Sequence, residues 1–189
     1  ALEIQAKPSM MNPEEGARDA GRGTSKKDQA SVPEITAEEI DGILPHYFSL
    51  QKALAGDDLK AAKNALKKLM EVTGHEGPLA KLIHDMMAAD DLDGIRRPYF
   101  ETLSNSLIKA IEAAESPQVR STAPLYRMHC PMVYDDRGAD WLQNNKELRN
   151  PYFGASMLTC GEIKEAWKAS QNTQNGSEPV ISIPDAETA

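Results

Sequence analysis

Four apolar stripes of helical period follow one another between residues 36 and 115 with only short connectors, and they constrain the fold of this chain more than any other feature. Ile40, Ile43, Leu44, Tyr47, Phe48, Gln51 and Leu54 trace one helical face, opened by Thr36 with Glu39 three positions on, the residues of a capping box. The spacing predicts a helix over 37–55. Pro45 lies inside it, where the missing N–H favours a kink or a late start. Gly56 offers a left-handed stop, and Asp57 an N-cap for the next helix. Leu59, Ala62, Leu66, Leu69 and Val72 make the second stripe, with Lys60, Lys63, Lys67 and Lys68 as a solvated face and Gly74 as its end. Pro78 opens a third helix with Leu79, Leu82, Ile83, Met86 and Met87 inward. Asp91 or Asp93 starts a fourth, carrying Ile95, Phe100, Leu103, Leu107, Ile111 and Ala114. Short connectors make antiparallel neighbours, so the expected class is all-α, an antiparallel bundle of about four helices.

Beyond Ser116-Pro117 the pattern changes. Pro124, Pro131, Gly138, Pro151, Gly154 and Gly161 punctuate an irregular lobe in which a short strand is expected near 125–129 and a short helix over 161–168. Both cysteines, both tryptophans, three of the eight methionines and three of the five tyrosines fall here. Side chains of these types require burial, so the lobe is expected to pack on the bundle. Residues 7–34 and 170–189 are rich in Gly, Pro, Ser and charge and lack apolar periodicity; they read as linker and tail. The expected organisation is therefore 1–35 as a strand-like start plus flexible linker, 36–168 as the folded domain, and 169–189 as a disordered tail or short docking strand. Beginning at Ala1 in the strand-like Leu2-Glu3-Ile4-Gln5-Ala6, the chain reads as a fragment or a processed product.

With 21 Lys+Arg against 29 Asp+Glu, the net charge of −8 opposes phosphate backbones, which disfavours nucleic acid as a partner. No run approaches the roughly 20 apolar residues of a membrane-spanning helix. Nucleophile elbow, phosphate loop, dinucleotide fingerprint and zinc-protease helix are all missing from the sequence, so no enzymatic activity and no catalytic residues are expected.

The chemistry concentrates in Met128-His129-Cys130-Pro131-Met132 and Met157-Leu158-Thr159-Cys160-Gly161. Thiolate and thioether sulfur are soft donors suited to Cu(I) and Ag(I), and imidazole is acceptable to copper. The pattern lacks the paired spacings of four Cys/His ligands that zinc favours. The residues alone leave alternatives open: Met fills cores, and an even cysteine pair some 30 residues apart is also a disulfide candidate. A thiol enzyme would require a base against Cys130 or Cys160, and the adjacency of His129 in sequence does not supply one. His46, His75 and His84 stand singly, as surface or capping residues. Met10-Met11 is an exposed pair, and Asp57-Asp58 and Asp90-Asp91 are acidic helix starts.

Tyr126-Arg127-Met128-His129-Cys130-Pro131-Met132, Gly138-Ala139-Asp140-Trp141-Leu142-Gln143, and Asn150-Pro151-Tyr152-Phe153-Gly154 running on to Cys160-Gly161 resemble the signature of a small domain. That domain is found at the C-terminus of some periplasmic adaptor subunits (membrane fusion proteins) of copper/silver heavy-metal resistance-nodulation-division (RND) efflux systems. Tyr47-Phe48-Ser49-Leu50-Gln51-Lys52-Ala53-Leu54-Ala55-Gly56-Asp57-Asp58 is similar to its opening helix, and the resemblance spans roughly residues 40–165. Residues 2–11 are similar to the end of the adaptors' membrane-proximal β domain, in the order expected. The resemblance implies a periplasmic location and Cu(I)/Ag(I) export as context. It implies the RND pump, the outer-membrane channel or a periplasmic metal chaperone as partners. In that setting Cys130, Met132, Met157 and Cys160, with His129 as an optional fifth donor, are expected to bind Cu(I) or Ag(I), and Trp141 to offer a cation–π face or a hydrophobic anchor. The alternative is a disulfide-stapled interaction module with no metal site of its own.

Overall fold

The computed structural model describes residues 33–114 and 124–167. The strand-like start, nearly all of the expected linker, and the expected tail lie outside the described residues.

The capping box forms: the Glu39 carboxylate accepts from the Thr36 N–H at 2.8 Å and from the Thr36 hydroxyl at 2.9 Å. Helix α1, Ala37–Ala55, then runs through Pro45, so the late start that the proline suggested is not seen. Gly56 keeps φ −93°, and the left-handed conformation falls on Asp57 instead, at φ 55°. Asp58, one residue later than expected, caps α2 (Leu59–Thr73) by accepting from the Ala61 N–H at 2.8 Å. That shift frees the Asp57 carboxylate for another role. Helix α3, Gly77–Ala88, carries Pro78 in its first turn, and Asp91 caps the single turn α4, Leu92–Gly94. The chain continues as a π-type segment, Ile95–Phe100, that leaves helical geometry at Arg97 (φ −132°, ψ 118°). The ring of Pro98 disfavours helical backbone at the residue before it. Regular helix resumes as α5, Glu101–Ala113. The fourth helix read from the sequence is thus broken near its start, and Arg96, beside the break, is buried at 6% exposure.

The expected all-α class is overturned by a three-stranded antiparallel sheet of order β2-β1-β3, which makes the architecture mixed α and β. Strand β1, Leu125–Cys130, falls where a strand was expected. Strand β2, Ala139–Gln143, is buried along most of its length and so lacks the alternation that marks a half-exposed strand. Strand β3, Glu162–Trp167, occupies the stretch expected to be helical. Its residues are good helix formers and almost all exposed, so neither propensity nor patterning announces it; pairing to β1 overrides local preference. Met128 sits opposite Trp141 and His129 opposite Asp140 across the β1–β2 pair. Across the β1–β3 pair Arg127 faces Glu165 and Met128 faces Ile163, leaving Lys164 as the extra residue of a bulge. A bulge with Glu162, Lys164 and Glu165 protects an edge strand from adventitious pairing.

Helices and sheet share one core. Tyr47 of α1 is fully buried: its hydroxyl lies 2.7 Å from Ser104 Oγ of α5 and accepts from the Leu142 N–H of β2 at 3.1 Å. Its ring stacks on Phe100 at 5.3 Å, Phe100 meets Tyr152 at 5.7 Å, and Tyr152 meets Trp141 at 6.0 Å. Trp141 is therefore an aromatic anchor of the core. Among the described residues, no helix is long and apolar enough to cross a membrane.

A paired-thiol candidate site

Cys130 is the last residue of β1 and is wholly buried, on the face it shares with Met128. Cys160 arrives from the other side, two residues before the start of β3. Continuing the β1–β3 register beyond the His129–Glu162 pair places Gly161 opposite Cys130. Gly161 has φ +136°, and a Cβ there would stand 2.6 Å from the His129 carbonyl oxygen and 3.1 Å from Trp141 Cη2. Only glycine lets the chain come this close to β1. The result is two free thiols, half-exposed Cys160 against buried Cys130, with their Sγ atoms 3.2 Å apart.

One residue holds both ends of the loop that delivers Cys160. Asn150, fully buried, donates from Nδ2 to the Cys160 carbonyl at 2.9 Å, and its backbone N–H donates to the Leu158 carbonyl at 2.7 Å. Its Oδ1 accepts from the Tyr152 N–H at 2.8 Å, fixing the turn that sends the Tyr152 ring into the core. The outer bend of the loop rests on the helices. Gly154, at φ +56°, has no room for a Cβ, which would collide with the Asp57 carboxylate and stand 2.6 Å from the Arg96 guanidinium. Asp57 Oδ2 accepts from the Ala155 N–H at 2.8 Å, and its Oδ1 pairs with Arg96. Arg96 also donates to the Leu54 carbonyl at 2.6 Å and to the Pro151 carbonyl at 2.8 Å. The Ala155 N–H, and after it Arg96, hold the Asp57 carboxyl below its ordinary range. The Asn-Pro-Tyr-Phe-Gly motif is thus the bracket that presents Cys160.

The structure brings Cys130 and Cys160 together. Met132, 49% exposed, lies in the turn that follows β1, and half-exposed Met157 ends a 3-10 turn, its carbonyl accepting from the Cys160 N–H at 3.1 Å. Both thioethers are carried on segments that adjoin the thiols. His129 is not brought to the thiols: neighbouring strand residues point to opposite faces, and its Nδ1 lies 2.6 Å from Asp140 Oδ1 on the face away from Cys130. Among the described residues, no group of three or more His, Cys, Asp and Glu side chains gathers in a metal-binding arrangement. The further soft donors nearest to the thiols along the chain are the thioethers of Met132 and Met157. Two sulfurs about 2.3 Å from one ion at a tetrahedral angle stand about 3.7 Å apart, so the pair opens by roughly half an ångström to chelate, a movement within reach of half-exposed Cys160. Its hydrogen bond with Cys130 is the main cause that pushes the Cys160 thiol up, with burial adding to it, so binding has to displace protons.

The opposite face of the sheet carries a charged network that sequence reading did not assemble. Arg127 donates from Nε to Asp140 Oδ2 at 2.7 Å and reaches Glu112 at 2.6 Å, and Lys164 lies 3.7 Å from Asp140. Burial pushes the Asp140 carboxyl up, but the hydrogen bonds from His129 and Arg127 and the charges of Arg127 and Lys164 outweigh it and hold the group below its ordinary range. A carboxyl depressed in the folded state contributes stability that is present above its unfolded value, about pH 3.9, and lost as pH falls through the folded one. Asp140→Asn is therefore expected to lower stability at neutral pH and to flatten its decline as pH falls below about 4. Chemical denaturation across that range checks this; parallel wild-type and variant curves contradict it.

No protein-family model, curated protein or solved structure matches the chain.

Proposed function

We propose that residues 36–168 form an accessory domain of a periplasmic heavy-metal efflux adaptor that binds Cu(I) or Ag(I) as cargo. The ion is held by Cys130 and Cys160 with thioether support from Met132 and Met157, and is relayed between a periplasmic metal chaperone and the RND pump or its outer-membrane channel. One observation carries the reading: two free thiols, 30 residues apart in sequence, stand 3.2 Å apart with methionines on the adjoining segments. An all-sulfur donor set selects soft monovalent ions over harder ones. The periplasmic setting and the partners rest on the resemblance of the motifs that build the site. His129, on the far side of β1, leaves the ligand set, and the reading contains no catalytic step.

Competition of the reduced, anaerobic protein against a chromophoric Cu(I) chelator tests it. About one equivalent is expected to bind, more weakly as pH falls because the thiols must lose protons. Cys130→Ser and Cys160→Ser are each expected to cost about a hundredfold or more in affinity, and His129→Ala less than about threefold. Unchanged affinity in the double Cys→Ser variant overturns the reading.

The same proximity favours one other reading, a disulfide-stapled docking module. Counting free thiols on protein isolated from the periplasm without exposure to air separates the two. Two titratable thiols support metal handling; none supports the staple, with metal binding confined to the reduced form.

A further inference from the structure

Away from the sulfur pair, two histidines that stand alone in the sequence come together in space. His75 lies in the turn between α2 and α3, and His84 on the exposed side of α3. Their ring centroids are 6.0 Å apart and the ring planes are inclined by 41°. Gly74 (φ +77°) and Gly77 (φ +89°) bracket the turn in a conformation that side-chain-bearing residues adopt only with strain, and so allow the chain path that carries His75. His84 is anchored by its neighbours Leu82, Ile83 and Met86, all buried in the core. Lys81, one turn before His84, is engaged by Asp85 at 2.7 Å.

We propose that His75 and His84 form a second metal site, a two-imidazole site for a borderline divalent ion such as Zn(II), Ni(II) or Cu(II), completed by water. Metal–imidazole bonds of about 2.0–2.1 Å, plus about 1.1 Å from nitrogen to ring centre, put each centroid about 3.2 Å from a shared ion. Ligand angles from tetrahedral to about 140° then give centroid separations of roughly 5.2–6.0 Å. The observed 6.0 Å lies at the wide end of this interval, and rotation of two exposed side chains covers the rest. Imidazole nitrogen suits borderline divalent ions, whereas the thiol and thioether set prefers soft monovalent ones although its thiolates also accept Zn(II). Two protein ligands on a water-filled surface hold an ion exchangeably. The site shares no residue with the thiol pair and does not depend on the function proposed for it.

Zn(II) titration of the full chain carrying Cys130→Ser and Cys160→Ser, which removes the thiolates that would also take Zn(II), followed through the imidazole Cε1–H proton resonances, tests the site histidine by histidine. The chain has four histidines, so His46 and His129 act as internal controls. His75 and His84 are expected to shift together along one saturating curve while the controls stay in place. His75→Gln and His84→Gln are each expected to lower the affinity reported by the remaining partner by about tenfold or more, with the thermal midpoint unchanged because both residues are exposed. Response of only one of the pair, equal response of all four histidines, or an affinity indifferent to either substitution overturns the proposal. None of these outcomes bears on the thiol site, which is read by Cu(I) competition.

Discussion

Arg96→Ala is expected to destabilise the folded domain by about 2–4 kcal/mol, from the charge-assisted hydrogen bonds of its buried guanidinium and the cavity left in its place. Arg96 is 6% exposed, and its guanidinium satisfies the Leu54 carbonyl at the end of α1, the Pro151 carbonyl in the loop that presents Cys160, and the Asp57 carboxylate between α1 and α2. Alanine leaves the Pro151 carbonyl without its donor and the Leu54 carbonyl with only the Asp57 N–H at 3.3 Å, and opens a cavity where three segments meet. Arg96→Lys keeps the charge but not the planar fork that reaches several acceptors at once, so it is expected to recover only part of the loss. Urea denaturation measures both. Because Asp57 and Arg96 act on the same loop, the double variant with Asp57→Asn should be less damaged than the sum of the single ones. A loss below about 1 kcal/mol for Arg96→Ala would show that the loop is held by other means.

The second large effect is expected at Gly161. A methyl group there would stand 2.6 Å from a backbone oxygen of β1 and 3.1 Å from a core tryptophan, and neither is free to yield. Gly161→Ala therefore has to push β3 and the adjoining Cys160 away from β1, at an expected cost of about 2–4 kcal/mol in stability. The thiols separate with it, so Cu(I) affinity should fall by about tenfold or more even with both cysteines present. Thr159, on the other side of Cys160, is exposed and makes a suitable control; Thr159→Ala is expected to leave stability and affinity unchanged. A Gly161→Ala protein that keeps wild-type stability and Cu(I) affinity would contradict the role assigned to this close approach.

How far the molecule can be read from its sequence varies with the kind of order involved. The stripes of α1, α2 and α3 are largely legible because the helices are amphipathic, though Val72, read into the second stripe, is exposed; the capping box at Thr36 and Glu39 acts locally, so residue type alone reports it. The Asp57–Asp58 pair shows the limit. Either aspartate makes an acceptable cap, and the choice falls to Asp58 because Asp57 is drawn to Arg96 and to Ala155, 98 residues away. The sheet escaped for the same reason. Glu162–Trp167 carries helix-forming residues and becomes a strand because β1 offers it an edge, while β2 is buried too completely to alternate. Within the candidate site the cysteines and methionines are visible by type, but which face of β1 each residue occupies is not. His129 looks like a sulfur neighbour in sequence, yet strand alternation carries it to Asp140. Gly161, Gly154 and Asn150 stand in the motifs from the outset, and the tight approaches that require them appear only once the strands are paired.

The central claim, that Cys130 and Cys160 form one soft-metal site with methionine support, is tested most directly by copper-edge X-ray absorption on the reduced, anaerobic protein carrying one equivalent of Cu(I). The donors present predict a first shell made only of sulfur, with both thiolates bound and no imidazole scattering, and loss of that shell when Cys130 and Cys160 are both replaced by serine. A first shell of nitrogen or oxygen, or a sulfur shell that survives the double replacement, would contradict the account.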